Sequence, residues 1–224
     1  MEHYFYGRKD SRNILLQPEG GHDAEREKTT GDLVRELSGI DDFLLVTVPV
    51  NSWIHDLSPW NAPPVFGKEA FGNGAKETLR RITSELLPEL ESELPDPGAH
   101  RYIIGGYSLA GLFALWAVFE TDCFCASAAA SPSVWFPGFM DYLKNRPILT
   151  QNVYLSLGDR EEKAKNRAFA AVGDCIRECD RILHERGVNS ILAWNSGNHF
   201  VDGELRMAKG FAWTLQEVLK TDNL

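Results

Sequence analysis

Apolar residues along the chain fall into runs of two kinds. The short ones are strand-length and apolar almost throughout: Asn13–Gln17 (NILLQ), Phe43–Val50 (FLLVTVPV), Arg101–Gly105 (RYIIG), Cys125–Ala130 (CASAAA), Val153–Leu157 (VYLSL) and Ser190–Trp194 (SILAW). Continuous rather than alternating hydrophobicity is what strands show when helices cover both faces of a parallel sheet. Between them, helical periodicity predicts helices at Asp32–Leu37, Ala75–Glu93, Leu109–Phe119, Lys163–Arg186 and Gly203–Leu219, with Pro88 kinking or shortening the second. This alternation predicts an α/β fold: a mostly parallel central sheet with helices on both faces, and a site at the carboxyl ends of the strands. The Pro/Gly-rich stretches Ser58–Gly74 and Leu94–Gly98 read as loops, and no repeat, low-complexity tract or linker divides the chain. The expectation is one domain spanning 1–224 with no large lid domain.

Composition narrows the function classes. A chain of 224 residues with 43% hydrophobic and 25% charged residues is an ordinary globular protein, not a disordered or fibrous one. Its net charge of -9, from 23 Lys+Arg against 32 Asp+Glu, carries no basic cluster, which argues against nucleic acid or an anionic membrane as partner. The uncharged run Tyr102–Phe119 approaches the length of a membrane span, but Gly105, Gly106, Ser108 and Gly111 break it. It reads as a buried strand passing straight into a buried helix. The N-terminus, MEHYFYGRKDSR, lacks the apolar core of a signal peptide, so a cytoplasmic location is the default expectation. Cys123/Cys125 and Cys175/Cys179 have no histidine at zinc-site spacing and read as free thiols, with no metal and no redox role expected.

The chemistry concentrates in Arg101–Leu112, RYIIGGYSLAGL: a strand, a serine flanked by small residues, then a helix apolar on every side. This is the layout of a nucleophile elbow, a sharp strand-to-helix turn that tolerates only small residues two places before and after the serine. Gly106 and Ala110 occupy those places, where the usual pattern has glycine at both. The turn would present Ser108 as nucleophile and set the Leu109 N–H at a helix start, where it donates to an oxyanion. A second donor is expected from the glycine-rich loop Gln17–Asp23, at Gly20 or Gly21.

Serine needs a base, and in this architecture acid and base follow the nucleophile in chain order. His184 lies in a charged helix, and His100 precedes its strand and so falls at the wrong sheet edge. His199, in the small polar loop after SILAW, remains as base. The acid belongs in Gly158-Asp159-Arg160-Glu161-Glu162. Glu161, three residues past the strand-ending glycine, is favoured, with Asp159 and then Glu162 as alternatives; one of the three at least should merely cap the following helix. Trp53, His55 and Trp60, after FLLVTVPV, and Trp135 in SPSVW are candidates for lining a substrate pocket.

Taken together, FGNGAKETLRRITSELLPELE, IIGGYSLAGLFALW, SPSVW, LGDREEKAKN and GNHF resemble the family of small serine esterases that includes the enterochelin (enterobactin) esterases, over most of the chain after Phe43. The resemblance implies an α/β-hydrolase fold, with Ser108 as nucleophile, Glu161 as the acid in the GxxE position and His199 as base. It implies hydrolysis of a small-molecule ester through an acyl-enzyme, without metal or organic cofactor. The family's substrates range over ferric-siderophore backbones, feruloyl and acetyl groups on sugars, and S-formylglutathione. A catalytically silent binding protein, and an acyltransferase or thioesterase built on the same triad, stand as alternatives.

Overall fold

The structure, a computed structural model, describes residues 3–21, 23–65 and 67–221. In chain order the elements are β1 (Tyr4–Gly7), β2 (Asn13–Glu19), α1 (Ala24–Ser38), β3 (Leu44–Pro49), α2 (Trp53–Asp56) and α3 (Ala75–Arg81). A π-turn (Ile82–Leu86) leads from α3 into α4 (Leu87–Glu93), followed by β4 (Arg101–Tyr107), α5 (Leu109–Glu120), β5 (Phe124–Ala130) and α6 (Phe139–Asn145). The chain continues through β6 (Asn152–Gly158), a 3₁₀ turn (Glu161–Lys163), α7 (Arg167–Ala170), α8 (Val172–Glu185), β7 (Asn189–Asn195) and α9 (Gly203–Thr221). The strands form one sheet in the order β1-β3-β2-β4-β5-β6-β7, parallel except for β1, which runs antiparallel to β3.

Helices cover both faces. On one side Val34 of α1 and Met207, Phe211 and Leu215 of α9 pack on Leu15, Leu45, Ile103 and Ala128; on the other, α3, α4, α5 and α8 bury Leu79, Leu90, Phe113 and Ile176 against Leu16, Val46, Ile104 and Leu155. Helix α5 is buried at every position from Leu109 to Phe119, so its all-round hydrophobicity marks a helix under the sheet. No described helix is long and apolar enough to cross a membrane. The four cysteines are free.

Several boundaries differ from expectation, each for a local reason. Helix α1 begins at Ala24 rather than Asp32 because Asp23 caps it, its side chain accepting from Arg26 N–H at 3.1 Å, although its first turns carry no apolar period. The segment Ala75–Glu93 stays helical past Pro88 because the π-turn immediately before it loosens the turn where the ring would otherwise strike a carbonyl. Lys163–Arg186 is not one helix: Asn166 caps α7 through Ala168 N–H at 2.9 Å, and the chain starts again at Val172. Strand β1 and helices α2 and α6 are too short to show a period. The longest stretch between elements runs from 57 to 74, pinned midway by the bridge Ala62–Phe71, and among the described residues no large lid interrupts the fold.

Candidate active site

The turn between β4 and α5 holds Ser108 at φ 60° and ψ -118°, a conformation that costs a non-glycine residue about 1–3 kcal/mol. Its surroundings hold it there. Ser108 N–H donates to Ala130 O at 3.1 Å, and Ser108 O accepts from Leu112 N–H and Ser133 N–H, both at 3.0 Å. A Cβ on Gly106 would come within 2.4 Å of the Ala110 carbonyl carbon and oxygen. A methyl at 110 is therefore compatible with the elbow because residue 106 has none. Gly106→Ala is expected to cost about 3 kcal/mol and to displace the serine enough to remove activity, whereas Ala110→Gly should keep activity at about 1 kcal/mol or less. Thermal unfolding and ester turnover of the two variants check this.

The structure brings Ser108, His199 and Glu161 into one hydrogen-bonded line. His199 Nε2 lies 2.9 Å from Ser108 Oγ and His199 Nδ1 lies 2.7 Å from Glu161 Oε2. A proton on Nδ1 is donated to the carboxylate, which leaves Nε2 free to accept from the serine hydroxyl. The second oxygen of Glu161 accepts from Gly158 N–H, Ser131 Oγ–H and Arg206 Nη1–H, each at 2.8 Å. Burial pushes the Glu161 carboxyl upward in pKa, but the bond and charge of His199 and the Gly158 and Ser131 donors outweigh it, so the acid sits below the usual carboxylate range.

The neighbouring carboxylates do something else. Asp159 Oδ1 accepts from Gly197 N–H at 2.9 Å and so ties down the loop that carries His199. Glu162 pairs with Arg177 at 2.6 Å. Gly158 is constrained from both sides, since a Cβ there would lie 2.4 Å from Gly197 O and 2.8 Å from the Arg206 guanidinium.

The sequence reading missed Arg206. It is 1% exposed, in the first turns of α9. Its Nη1 reaches Glu161, Ser131 Oγ at 3.1 Å and Tyr107 OH at 3.3 Å; its Nη2 donates to Ser196 O at 3.0 Å and Asn198 O at 2.9 Å. One guanidinium thus joins Glu161 to the loop that carries His199, and Tyr107 OH adds a bond to His199 O at 2.7 Å. The available signal was an arginine beside Met207 and four residues before Gly210. The motif SPSVW also acquires a structural reason: Ser131 braces Glu161, Ser133 braces the Ser108 carbonyl, Val134 is buried, and Trp135 reaches the pocket.

Ser108 and His199 open into a cavity of about 660 Å³ whose walls include Trp53, Phe71, Trp135, Phe169 and Val172, with Arg160, Lys163 and the exposed Phe200 among its lining. Leu109, the first residue of α5, lines it as well, and an N–H at that position has no acceptor within the helix. Gly20 and Gly21 follow β2, the strand beside β4, and border an adjoining cavity of about 420 Å³. Trp53 is common to both cavities. His22 of the same loop lies outside the described residues. Two of the expected pocket residues are placed elsewhere. Trp60 donates from Nε1 to Pro137 O at 2.8 Å and packs on Phe136 and Tyr142, anchoring the loop after α2. His55 pairs with Asp56 at 2.9 Å and lies against Gly72 and Gly74 with its side chain 55% exposed.

Comparison with solved structures returns the same architecture. The chain is similar to the siderophore hydrolase EstA from Aspergillus nidulans (TM-score 0.71, 20% identity, 94% of this chain and 84% of that one). It is also similar to EstB, the siderophore hydrolase of the same organism (0.73, 17%, 96% and 89%), and to an IroE-like serine hydrolase from Shewanella oneidensis (0.75, 16%, 94% and 74%). No curated protein sequence matches the chain. The model of the Esterase family matches residues 19–192, from the end of β2 into β7 and across the elbow and the Glu161 loop. A family match over that span, on a seven-stranded sheet of this order, makes the chain a member of the Esterase family, with the fold of the siderophore hydrolases and the serine hydrolase named above.

Proposed function

We propose that Ser108, His199 and Glu161 are the catalytic triad and that they hydrolyse a small-molecule ester by way of an acyl-enzyme. The observation that carries this reading is the unbroken hydrogen-bonded line from Ser108 Oγ through both nitrogens of His199 to Glu161. In the first half-reaction Ser108 Oγ attacks the ester carbonyl carbon while His199 Nε2 takes its proton. The tetrahedral intermediate then collapses, the C–O bond to the alcohol breaks, and His199 returns the proton to the leaving alcohol. Water repeats the sequence on the acyl-enzyme and frees the acid. Glu161 does not gain the proton; it fixes the imidazole tautomer and stabilises the imidazolium. The Leu109 N–H, aided by the dipole of α5, and an N–H of the Gly20–Gly21 loop hold the oxyanion.

The aromatic walls of the large cavity suit an ester with a bulky apolar or aromatic group. The neighbours named as siderophore hydrolases support a small-molecule rather than a polymeric substrate.

The acid assignment is tested by two isosteric changes. Glu161→Gln places an amide opposite Nδ1 and is expected to lower kcat by about 10³–10⁴-fold. Asp159→Asn keeps the oxygen that accepts from Gly197 and should change kcat less than about tenfold. Steady-state kinetics on a p-nitrophenyl ester read both, and the reverse order would move the acid to Asp159.

A further inference from the structure

The sheet opens beside the elbow. Strand β2 pairs with β4 only as far as Leu16–Ile104, whereas its pairing with β3 continues to Glu19–Pro49. Pro18, with no N–H to give, lies in the stretch past the end of the β2–β4 ladder. The chain crosses to β3 on one side of β2 and reaches β4 on the other, so this gap is the topological switch point, where open α/β sheets take ligands. The cavity of about 420 Å³ fills it, lined by Gln17 and Glu19 from β2, by Tyr107 next to the nucleophile, and by Trp53, which it shares with the cavity of Ser108.

Its chemistry is the opposite of the aromatic cavity's. Among the described residues, Asp23, Glu19 and Glu27 line it together with the cation Arg26. Arg26 sits 3.7 Å from Glu19 but 2.8 Å from Glu204, and with a side chain 44% exposed it is drawn to the outer side. Gln17 is 5% exposed and donates its amide N–H to Glu19, while its Oε1 is buried with no hydrogen-bond partner among the described residues. An unpaired buried acceptor is destabilising, and a donor supplied by a ligand would recover that loss. Burial raises the Glu19 carboxyl above its ordinary pKa despite Gln17 and Arg26, so its present partners do not fully offset its desolvation. A carboxylate whose Oε2 meets Arg26 at 3.7 Å, beyond hydrogen-bond reach, next to an amide oxygen with no partner among the described residues, accepts N–H donors and favours positive charge.

We propose that this cavity is a second substrate subsite, which seats a protonated amine carried by the ester, held by Glu19 and Gln17 Oε1 while the scissile carbonyl lies at Ser108. The inference rests on the esterase reading above. An ester bearing an ammonium group several bonds from its carbonyl is the substrate class that both cavities fit together, with the amine carried on either the acyl or the alcohol side.

Two matched pairs of esters separate those sides: methyl 6-aminohexanoate against methyl heptanoate, and 5-aminopentyl butyrate against hexyl butyrate. In each pair an ammonium replaces a methyl of similar size. One of the pairs is expected to show kcat/KM about tenfold or more in favour of the amine, mostly through KM, as a charged hydrogen bond of ordinary strength gives. Glu19→Gln should bring that ratio to about one while leaving the neutral ester's rate unchanged, so the neutral ester doubles as a control for folding. Hexylammonium should inhibit the wild type more strongly than hexanol, a comparison that needs no variant. Turnover of all four esters without preference for either amine would overturn the subsite alone, as would a preference that survives Glu19→Gln. Absence of turnover of any ester by the folded protein would overturn the esterase mechanism itself.

Discussion

Ser108→Ala is expected to lower kcat/KM for any ester substrate by about 10⁴–10⁶-fold while shifting the unfolding temperature by no more than about 2 °C. The size follows from the chemistry: without the oxygen there is no acyl-enzyme, and what remains is binding and oxyanion stabilisation acting on a water. The small stability change follows from the structure. The bonds that hold the elbow are made by the backbone of Ser108 to Ala130, Leu112 and Ser133, and alanine keeps all of them. Among the described residues the side-chain oxygen contributes only its bond to His199. Initial-rate kinetics together with a thermal melt check both halves, and a loss of activity accompanied by a large drop in melting temperature would show that Ser108 matters for folding rather than for chemistry.

Arg206→Met should be the most damaging change away from the reacting atoms. The guanidinium is buried, it neutralises Glu161, and it satisfies the carbonyls of Ser196 and Asn198 on either side of Gly197. Removing one member of a buried ion pair costs about 3–5 kcal/mol because the other is left uncompensated, or about 10 °C in melting temperature for a chain of this size. The loop that presents His199 loses its anchor at the same time, so kcat is expected to fall at least about 10²-fold with KM little changed. Arg206→Lys keeps the charge but cannot reach the acid and both carbonyls with one planar group, and it should recover stability more than kcat. The kcat-against-KM split distinguishes this positioning role from simple loss of folded protein, which would lower the apparent kcat only in proportion to the unfolded fraction.

The central strands were legible because burial on both faces leaves a continuous apolar run, as in NILLQ and VYLSL, that composition alone exposes. The elbow was legible because its sterics demand small residues at fixed offsets from Ser108, and the contacts of Gly106 show that demand directly. His199 followed from chain order and from its position after the strand β7. Other features had no local signature. Helix α1 depends on the Asp23 cap and on packing that buries Glu27 and Thr30, not on an apolar stripe. The break between α7 and α8 leaves Phe169 and Val172 against the pocket, a tertiary outcome to which periodicity is blind. Among the tryptophans, type and loop position were alike for Trp53 and Trp60; only the fold puts one between two cavities and the other under a loop. Arg206 was hidden because its partners are 45 residues away at Glu161 and in the backbone of another loop, and a charged residue in a helix ordinarily faces water.

The most direct test of the mechanism is labelling with a fluorophosphonate followed by peptide mapping, since only a serine activated by a base reacts quickly with such a probe. The triad predicts one phosphonyl adduct, on Ser108, in the wild type; no adduct in Ser108→Ala; and strongly slowed labelling in His199→Ala. A folded wild-type protein that takes no label at Ser108, or takes it at another residue, would contradict the account.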